Sequence, residues 1–466
     1  MKVFNTMSRS KEELVPVNKG VANVYTCGPT VYSRIHIGNF KTFLFEDILV
    51  RYLRYDGFKV NHVMNITDVD DKTIRASKES NTPLDDVTKP FIDAFFADMK
   101  ALHMVPADHF TRATRHIEPM VKLVKALLDN GYAYKTPDGN IYYSISKFKD
   151  YGKLAHLDPS TLMSGASNRV ASDEYEKDSV SDFALWKAWT EDDGEVYWET
   201  ELGKGRPGWH IECSAMSMEY LGETLDIHTG GVDNIFPHHQ NEIAQSEGAT
   251  GKTFSKYWMH SRHLMVDGAK MSKSLKNFYT LDDLKKMDIT PEEFRFFVVT
   301  NHYQTSLNFT LDAVKASSKG RMGLIELVTR LKEVQIENSD VDVDPIIQKM
   351  LDGFKAGMDD DLNTPKAISH IFDLSRETNK LLDEDKLSKD DANKIMEAIN
   401  KVNTVFAFLE NSEAEIPDDI IKLLDERAEA RKEKNWAKSD EIRDRLDEMG
   451  YVIKDSHRDR ELLANE

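Results

Sequence analysis

Cysteine is almost absent from this chain: its 466 residues include two, Cys27 and Cys213. Two cysteines cannot build a disulfide framework, so a reducing compartment is expected, and with it a cytoplasmic location. No apolar run is long enough to cross a bilayer, so no membrane partner is expected. The opening residues, Met1-Lys2-Val3-Phe4-Asn5-Thr6, lack the apolar core of a secretory signal. Internal repeats and low-complexity tracts are missing, and no segment carries a coiled-coil heptad, which points to a monomer. Basic charge is also scarce. The formal net charge of -19 argues against a protein that coats nucleic acid non-specifically, although a local basic face can act inside an acidic whole. What remains is 40% hydrophobic and 30% charged, an ordinary globular composition. The length suggests about three domains.

The pattern opens on a βαβ unit. Val21 to Thr26 reads as a buried strand, Gly38 to Tyr55 as an amphipathic helix ended by Gly57, and Phe58 to Ile66 as a second strand. Ligands in such folds bind beyond the carboxyl ends of the strands, where Cys27 and Thr67-Asp68 fall. A helical stretch runs to about Tyr132. From Tyr134 to about Gly205 the pattern is irregular and reads as an insertion. Leu225 to His228 and Tyr257 to Val266 are strand-like. Four helices follow: Ala313 to Val334, Pro345 to Met358, Thr364 to Leu382, with Thr364-Pro365 as N-cap and first residue, and Lys389 to Leu409. Ser412 to Pro417 is a linker, and a charged helical hairpin closes the chain.

Both cysteines lie in chemical company. Cys27 sits in Tyr25-Thr26-Cys27-Gly28-Pro29-Thr30 and Cys213 in Gly208-Trp209-His210-Ile211-Glu212-Cys213. His238 and Glu242 are four apart, so a helix there puts both on one face. Two thiolates, an imidazole and a carboxylate make a tetrahedral zinc set. The bland alternative is that distant cysteines are buried small hydrophobes, and the spacing is weaker than a local CxxC pair. Two further segments suit phosphates. Ile35-His36-Ile37-Gly38-Asn39 places an imidazole beside a helix N-terminus, whose free N–H groups and partial positive charge favour an anion. Lys270-Met271-Ser272-Lys273-Ser274 offers two lysines and two hydroxyls after a Gly-led entry. That is a clamp for a triphosphate or else a solvated surface loop.

As a pair, His-Ile-Gly-Asn and Lys-Met-Ser-Lys-Ser form the signature of class I aminoacyl-tRNA synthetases. Together with Asn65-Ile66-Thr67-Asp68, Asp182-Phe183-Ala184-Leu185-Trp186-Lys187 and Phe236-Pro237-His238-His239, the chain resembles the cysteinyl-tRNA synthetase family over nearly its whole length. The resemblance implies an α/β fold: a Rossmann-type catalytic domain over residues 1–310, with an inserted connective domain at about 133–205 and the lysine-motif segment at about 255–310. An α-helical, tRNA-binding bundle over 311–410 and a small C-terminal anticodon-binding domain over 417–466 complete it. It implies ligation of L-cysteine to tRNA-Cys through a cysteinyl-adenylate, with one zinc per subunit and Mg2+ accompanying ATP.

Residue roles follow by the same resemblance. Cys27, Cys213, His238 and Glu242 hold the zinc, with His239 as the neighbouring candidate. A substrate thiolate suits that soft site and a serine hydroxyl does not, so strong selection needs no editing domain. Gly28, Thr67, Trp209 and His228 line the cysteine pocket, Trp209 as a lid. Thr30, His36, Gly38 and Asn39 meet the phosphates, Gly230 and Asp233 the adenosine, and Lys270, Ser272 and Lys273 the leaving pyrophosphate. His36, Asn39, Lys270 and Lys273 carry catalysis, while His62 and His210 are structural. Asn39 stands where many class I enzymes have a second His, and Lys276 where Gly is common. In the tail, Arg427, Arg431, Lys434 and Lys438 approximate one helix face for a phosphate backbone. Arg431, Asp440 and Asp455 are candidate anticodon readers. Trp436 either stacks on a splayed base or packs the hairpin, with packing favoured. Two other readings stay open. One is a cysteine ligase forming an amide with an amino sugar, which is expected to lack the anticodon end. The other is a non-catalytic zinc-containing RNA-binding protein, which has no need of His36, Lys270 and Lys273.

Overall fold

A computed structural model of the protein describes residues 1–157, 169–170, 181–271, 277–409, 422–423, 426–427, 429–431, 435–448, 451–453 and 462–464. The chain opens on an antiparallel pair, β1 (Lys2–Asn5) and β2 (Ser10–Glu13). The expected βαβ unit follows as β3 (Val21–Thr26), α1 (Ile37–Tyr55) and β4 (Lys59–Ile66), with β3 and β4 parallel. Gly57 stops α1 by taking φ 93°, a left-handed conformation that glycine adopts without strain. Next come α2 (Asp71–Ser80), α3 (Leu84–Ala101), β5 (His109–Arg112) and α4 (Ile117–Asp129).

The stretch read as irregular is a sheet of its own. It contains β6 (Ala133–Lys135), β7 (Ile141–Tyr143), β8 (Arg169–Val170), β9 (Asp182–Ala188), β10 (Trp198–Thr200) and β11 (Gly203–Pro207), in the order β10-β11-β9-β7-β6 with β8 beside β9. Most of these strands are too short for alternation to show in a sequence. What holds them is packing: Tyr143 stacks on Phe183 at 5.1 Å, and both share a core with Val124, Leu127 and Ala244.

The main sheet resumes through α5 (Trp209–Leu221), β12 (Leu225–Gly231), α6 (Gln240–Thr250) and β13 (Ser255–Ser261). Its order is β13-β12-β3-β4-β5, parallel throughout. The run expected as one strand over Tyr257 to Val266 breaks at Arg262-His263. There the chain leaves the main sheet, and β14 (Leu264–Val266) pairs instead with β15 (Ala269–Lys270) and, beyond α7 (Pro291–Val299), with β16 (Leu307–Phe309).

Four helices complete this unit: α8 (Leu311–Lys332), α9 (Asp344–Met358), α10 (Thr364–Asp383) and α11 (Lys389–Phe406). The cap of α10 is one residue earlier than expected. Asn363, not Thr364, accepts from the backbone N–H of Lys366, because Asn caps as well as Thr and Pro365 still falls in the first turn, where no N–H is needed. The bundle does not stand apart from the sheet. Phe45, Leu49 and Leu53 of α1 share one apolar core with Leu324, Phe354, Ile371 and Ile399. A second unit, described by itself, contains α12 (Trp436–Glu448) and the antiparallel pair β17 (Tyr451–Ile453) and β18 (Leu462–Ala464).

One buried charge in this shared core has charged partners. Arg295 of α7 and Asp47 of α1 are both 0% exposed and meet at 2.6 Å. Arg295 also donates to the carbonyls of Leu102 and Phe406, and Arg51 reaches the same carboxylate at 3.0 Å. Removing one partner of such a pair leaves a buried charge uncompensated. Replacing Arg295 by Met should therefore cost about 3 kcal/mol in urea unfolding; a loss below about 1 kcal/mol would show that Arg51 alone neutralises Asp47.

His62 on β4 is buried beside Thr26 Oγ1, 2.9 Å from its Nε2. Burial lowers its pKa from 6.5 to about 4. The folded imidazole stays neutral while the unfolded one takes a proton, so its contribution is complete above pH 6.5 and is lost as pH falls towards 4. The loss amounts to about 3 kcal/mol. A His62→Gln variant should show a flatter stability–pH curve across that window, and parallel curves would assign the acid sensitivity elsewhere.

Candidate active site

Four adjacent parallel strands deliver their carboxyl ends to one place: Thr26-Cys27 after β3, Ile66-Thr67 after β4, Gly230-Gly231 of β12, and Ser261-Arg262 after β13. Beyond them lies a cavity of about 240 Å³, lined among others by Cys27, Gly28, His36, Asn39, Asp233 and Lys270. Gly28 has no room for a side chain, because a Cβ there would lie 1.9 Å from the Asn65 carbonyl oxygen. Its N–H donates to Asn65 Oδ1 at 2.8 Å. Backbone bonds join Thr67 N–H to the Pro29 carbonyl and Val31 N–H to the Thr67 carbonyl, so the Cys-Gly-Pro-Thr turn is laced to the end of β4.

His36 caps α1. Its Nδ1 accepts from the Asn39 N–H at 3.2 Å, and its ring packs edge-on to Phe278 at 4.7 Å. The Ile37 N–H donates to the Tyr279 carbonyl, so the segment just past the lysine motif is tied to this turn. No acidic residue occupies the first turn of α1, which leaves its positive end facing the cavity. Across the mouth, Lys270 Nζ lies 3.2 Å from Asp233 Oδ2, and His263 Nδ1 is 3.5 Å from the same oxygen. Thr30 pairs with Thr67 in a short bridge and does not line the cavity, and neither does Gly230. Gly230 faces the His239 ring, 2.9 Å from where a Cβ would be. Ser272, Lys273 and Lys276 lie outside the described residues.

Beneath Cys27 is a buried donor cluster. Cys27, Cys213, His238 and Glu242 place their ligand atoms within 4.8 Å of one another, and so do Cys27, His228, His239 and Glu242. Tetrahedral zinc ligands at ordinary bond lengths are roughly 3.3–3.8 Å apart, so the atoms of either set lie within about 1 Å of that spacing. His238 precedes α6 rather than sitting within it, yet its Nε2 is 3.1 Å from Glu242 Oε1. That oxygen is buried and makes no hydrogen bond, a lone pair suited to a cation. The other nitrogen, His238 Nδ1, is 2.8 Å from His210 Nδ1. His239 lies between Cys27 Sγ at 3.2 Å and His260 Nε2 at 2.8 Å, and His228 Nε2 is 2.9 Å from Glu242 Oε2.

The electrostatics suit a dication. The hydrogen bond from Cys27 pulls the Cys213 thiol well below its ordinary pKa, with His238 adding to it, while burial pushes Cys27 up. Burial likewise raises Glu242 and holds His228 at about 4, His260 at about 3, and His210 and His239 well below 6.5. These four imidazoles are therefore neutral, the form in which they bind metals, whereas the charges of Glu242 and Cys213 outweigh burial at His238 and raise its pKa. The set with two sulfurs has the donors zinc favours.

Trp209 stacks on His238 at 4.4 Å and is half-buried at the head of α5. His228, fully buried, stacks on Trp258 at 4.5 Å. Sequence reasoning missed His260, Ser261, Arg262 and His263, since no motif marks them and only the turn at the end of β13 brings them in. It also gave His210 no contact with the donors. In the second unit Arg427 is 6% exposed and cannot belong to an open phosphate-binding face. Trp436 is 57% exposed, so it does not pack the hairpin as expected: it starts α12 at the margin of the face that carries buried Ser439, Ile442 and Leu446. Arg431 is half-buried and Asp440 exposed, 3.2 Å from Arg443. Lys434 and Asp455 lie outside the described residues.

The profile of the class I (C) tRNA synthetase catalytic domain matches residues 13–319, that of the DALR domain residues 353–410, and that of the cysteinyl-tRNA ligase anticodon-binding domain residues 413–461. Among solved structures, a methionyl-tRNA synthetase of Mycobacterium tuberculosis in complex with methionyl-adenylate superposes with a TM-score of 0.63 at 15% identity, over 86% of this chain and 93% of its own. Sheet, nucleotide-type cavity and profile together define a class I aminoacyl-tRNA synthetase fold. The cysteine–tRNA ligase of Protochlamydia amoebophila is 47% identical, over 98% of this chain and 96% of its own length. That of Chlamydia felis is 46% identical, over 97% and 96%. The chain belongs to the cysteinyl-tRNA synthetase family.

Cys213→Ser should retain the fold and lose bound metal, with zinc content after dialysis falling from about one per chain to below about a tenth. Full occupancy in that variant would move the site to the set built on His228 and His239.

Proposed function

We propose that this protein ligates L-cysteine to tRNA-Cys at the expense of ATP. The observation that carries the reading is the position of Cys27. It belongs to the donor cluster and also lines the cavity that His36, Asn39 and Lys270 surround. The side-chain site and the nucleotide site are therefore adjacent, as joining a cysteine carboxylate to a nucleotide requires.

Cys27, Cys213, His238 and Glu242 would hold a zinc ion, which would supply a soft Lewis-acid site that favours a thiolate over a hydroxyl. His210 orients His238 from behind. Gly28, Thr67, Trp209 and His228 shape the rest of the cysteine pocket. ATP, with Mg2+, lies against the N-terminus of α1. The cysteine carboxylate oxygen bonds to the α-phosphorus, the bond to the bridging oxygen breaks, and pyrophosphate leaves. His36 and Asn39 meet the phosphates, and Lys270 and Lys273 offset the charge that grows on the leaving group. Asp233 accepts from the ribose hydroxyls once Lys270 moves to the phosphates. The 2′-hydroxyl of the terminal adenosine of the tRNA then attacks the carbonyl carbon, and AMP departs. No covalent bond to the enzyme is needed, so positioning and charge stabilisation carry both steps.

The test is attachment of radiolabelled cysteine to a tRNA-Cys transcript by the metal-loaded protein, with serine and a chelator-treated sample in parallel. Charging with cysteine alone, abolished by the chelator, is expected. Adenylate formation without charging would identify a different acceptor. Lys270→Ala should slow cysteine-dependent ATP–pyrophosphate exchange by about a hundredfold with zinc retained, and an unchanged rate would remove Lys270 from the reaction.

A further inference from the structure

Lys41 is two residues beyond Asn39 on α1. It is 2% exposed. Its ammonium donates to three oxygens: Ser261 Oγ at 3.1 Å, the Arg262 carbonyl at 2.6 Å and the Tyr303 carbonyl at 3.1 Å. These match the three donors of an ammonium. Among the described residues no carboxylate lies within ion-pair distance of it, and burial lowers its pKa to about 7. An uncompensated buried lysine is costly and needs a reason.

The reason lies in what it joins. Two walls of the nucleotide cavity matter here. One is the start of α1, with His36, Gly38, Asn39, Thr42 and Phe43; the other is the chain leaving β13, Ser261 to Leu264. Lys41 grows from the first wall and grips the backbone of the second, so its reach sets the distance between them. The third bond extends the connection. The Tyr303 ring stacks on Phe45 at 4.2 Å, and its hydroxyl donates to Asp361 Oδ1 at 2.7 Å. Asp361 stands just ahead of α10, accepts from the Phe4 N–H at 2.7 Å, and its carbonyl oxygen is 2.9 Å from His302 Nε2. Its φ of 64° is uncommon for a residue with a side chain, and these contacts hold it there.

We infer that Lys41 is a positioning residue that sets the width of the nucleotide cavity, and that Asp361 ties the placement of the helical bundle to it through Tyr303. The inference rests on the reading of this cavity as the ATP site. It means that a displacement of the bundle changes how ATP is held, although no bundle residue touches the cavity.

The test uses cysteine-dependent ATP–pyrophosphate exchange by the full-length, metal-loaded protein without tRNA. Lys41→Met should raise KM for ATP by about tenfold and leave KM for cysteine within about twofold. A purely structural role would lower kcat through the folded fraction and leave both KM values alone, and that result overturns the inference. Tyr303→Phe keeps the ring stack and removes the hydroxyl's bond to Asp361 together with the one it accepts from Gln304. It should raise KM for ATP by about threefold, and the double variant should match Lys41→Met, because both changes cut one path. Additive effects in the double variant overturn the link through Tyr303; if Lys41→Met does not fold, Tyr303→Phe alone decides, and an unchanged KM for ATP overturns the inference. A wild-type protein with no cysteine-dependent exchange would overturn the ATP reading itself, and the inference with it.

Discussion

Helix α1 must be buried on nearly every side while its N-terminus stays open to an anion, and the rest of the structure is arranged around that constraint. Of its residues, Phe40, Leu44, Ile48 and Leu53 are as buried as Lys41, Glu46 and Asp47. Three charged groups inside one helix are costly unless each finds partners. They do so differently. Asp47 is neutralised by Arg295 and Arg51, Lys41 donates to three neutral oxygens, and Glu46 accepts from the Thr229 hydroxyl at 2.8 Å, with burial raising its pKa towards the protonated form. Most of the partners come from other elements: Arg295 from α7, Ser261 and Arg262 from the end of β13, Tyr303 from the loop after α7 and Thr229 from β12. The polar contacts therefore register α1 against the sheet and the bundle, where apolar packing alone would tolerate sliding. An imidazole and a helix N-terminus serve a phosphate only if that register is held.

The donor cluster solves a related problem with less charge. Five imidazoles from His210, His228, His238, His239 and His260 crowd around two sulfurs and one carboxylate, all buried. Burial keeps most of them neutral, so the cluster avoids stacking like charges. Donor sites with hydrogen-bonded imidazoles behind them hold a metal better than isolated ones, because the outer partner fixes tautomer and ring angle. His210 behind His238 and His260 behind His239 have that relation.

The continuity of core between sheet and bundle bears on how the molecule works as a whole. Arg295 joins α1, the end of α3 and the end of α11 through one guanidinium, and Tyr52 of α1 donates to Asp359 at 2.7 Å, ahead of α10. The bundle helices are thus mechanically part of the unit that carries the cavity.

Local pattern determined a good deal. The burial of Val24 and Tyr25, the helical spacing through Phe40, Leu44 and Ile48, and the stop at Gly57 are properties of short windows, and α1 begins within one residue of the reading. Cys27, Gly28, His36 and Asn39 were legible because chemistry there depends on residue types at fixed offsets along one turn. The connective sheet was not, since strands of three residues owe their existence to partners such as Phe183 for Tyr143. The break at Arg262-His263, the exposure of Trp436 and the roles of His260 and Lys41 were equally hidden. Each depends on atoms hundreds of positions away, or on which side of a helix the remainder of the fold covers. Sequence periodicity reports which face of an element is apolar. Which residues meet across the fold, and so which buried charge grips which backbone, only tertiary packing decides.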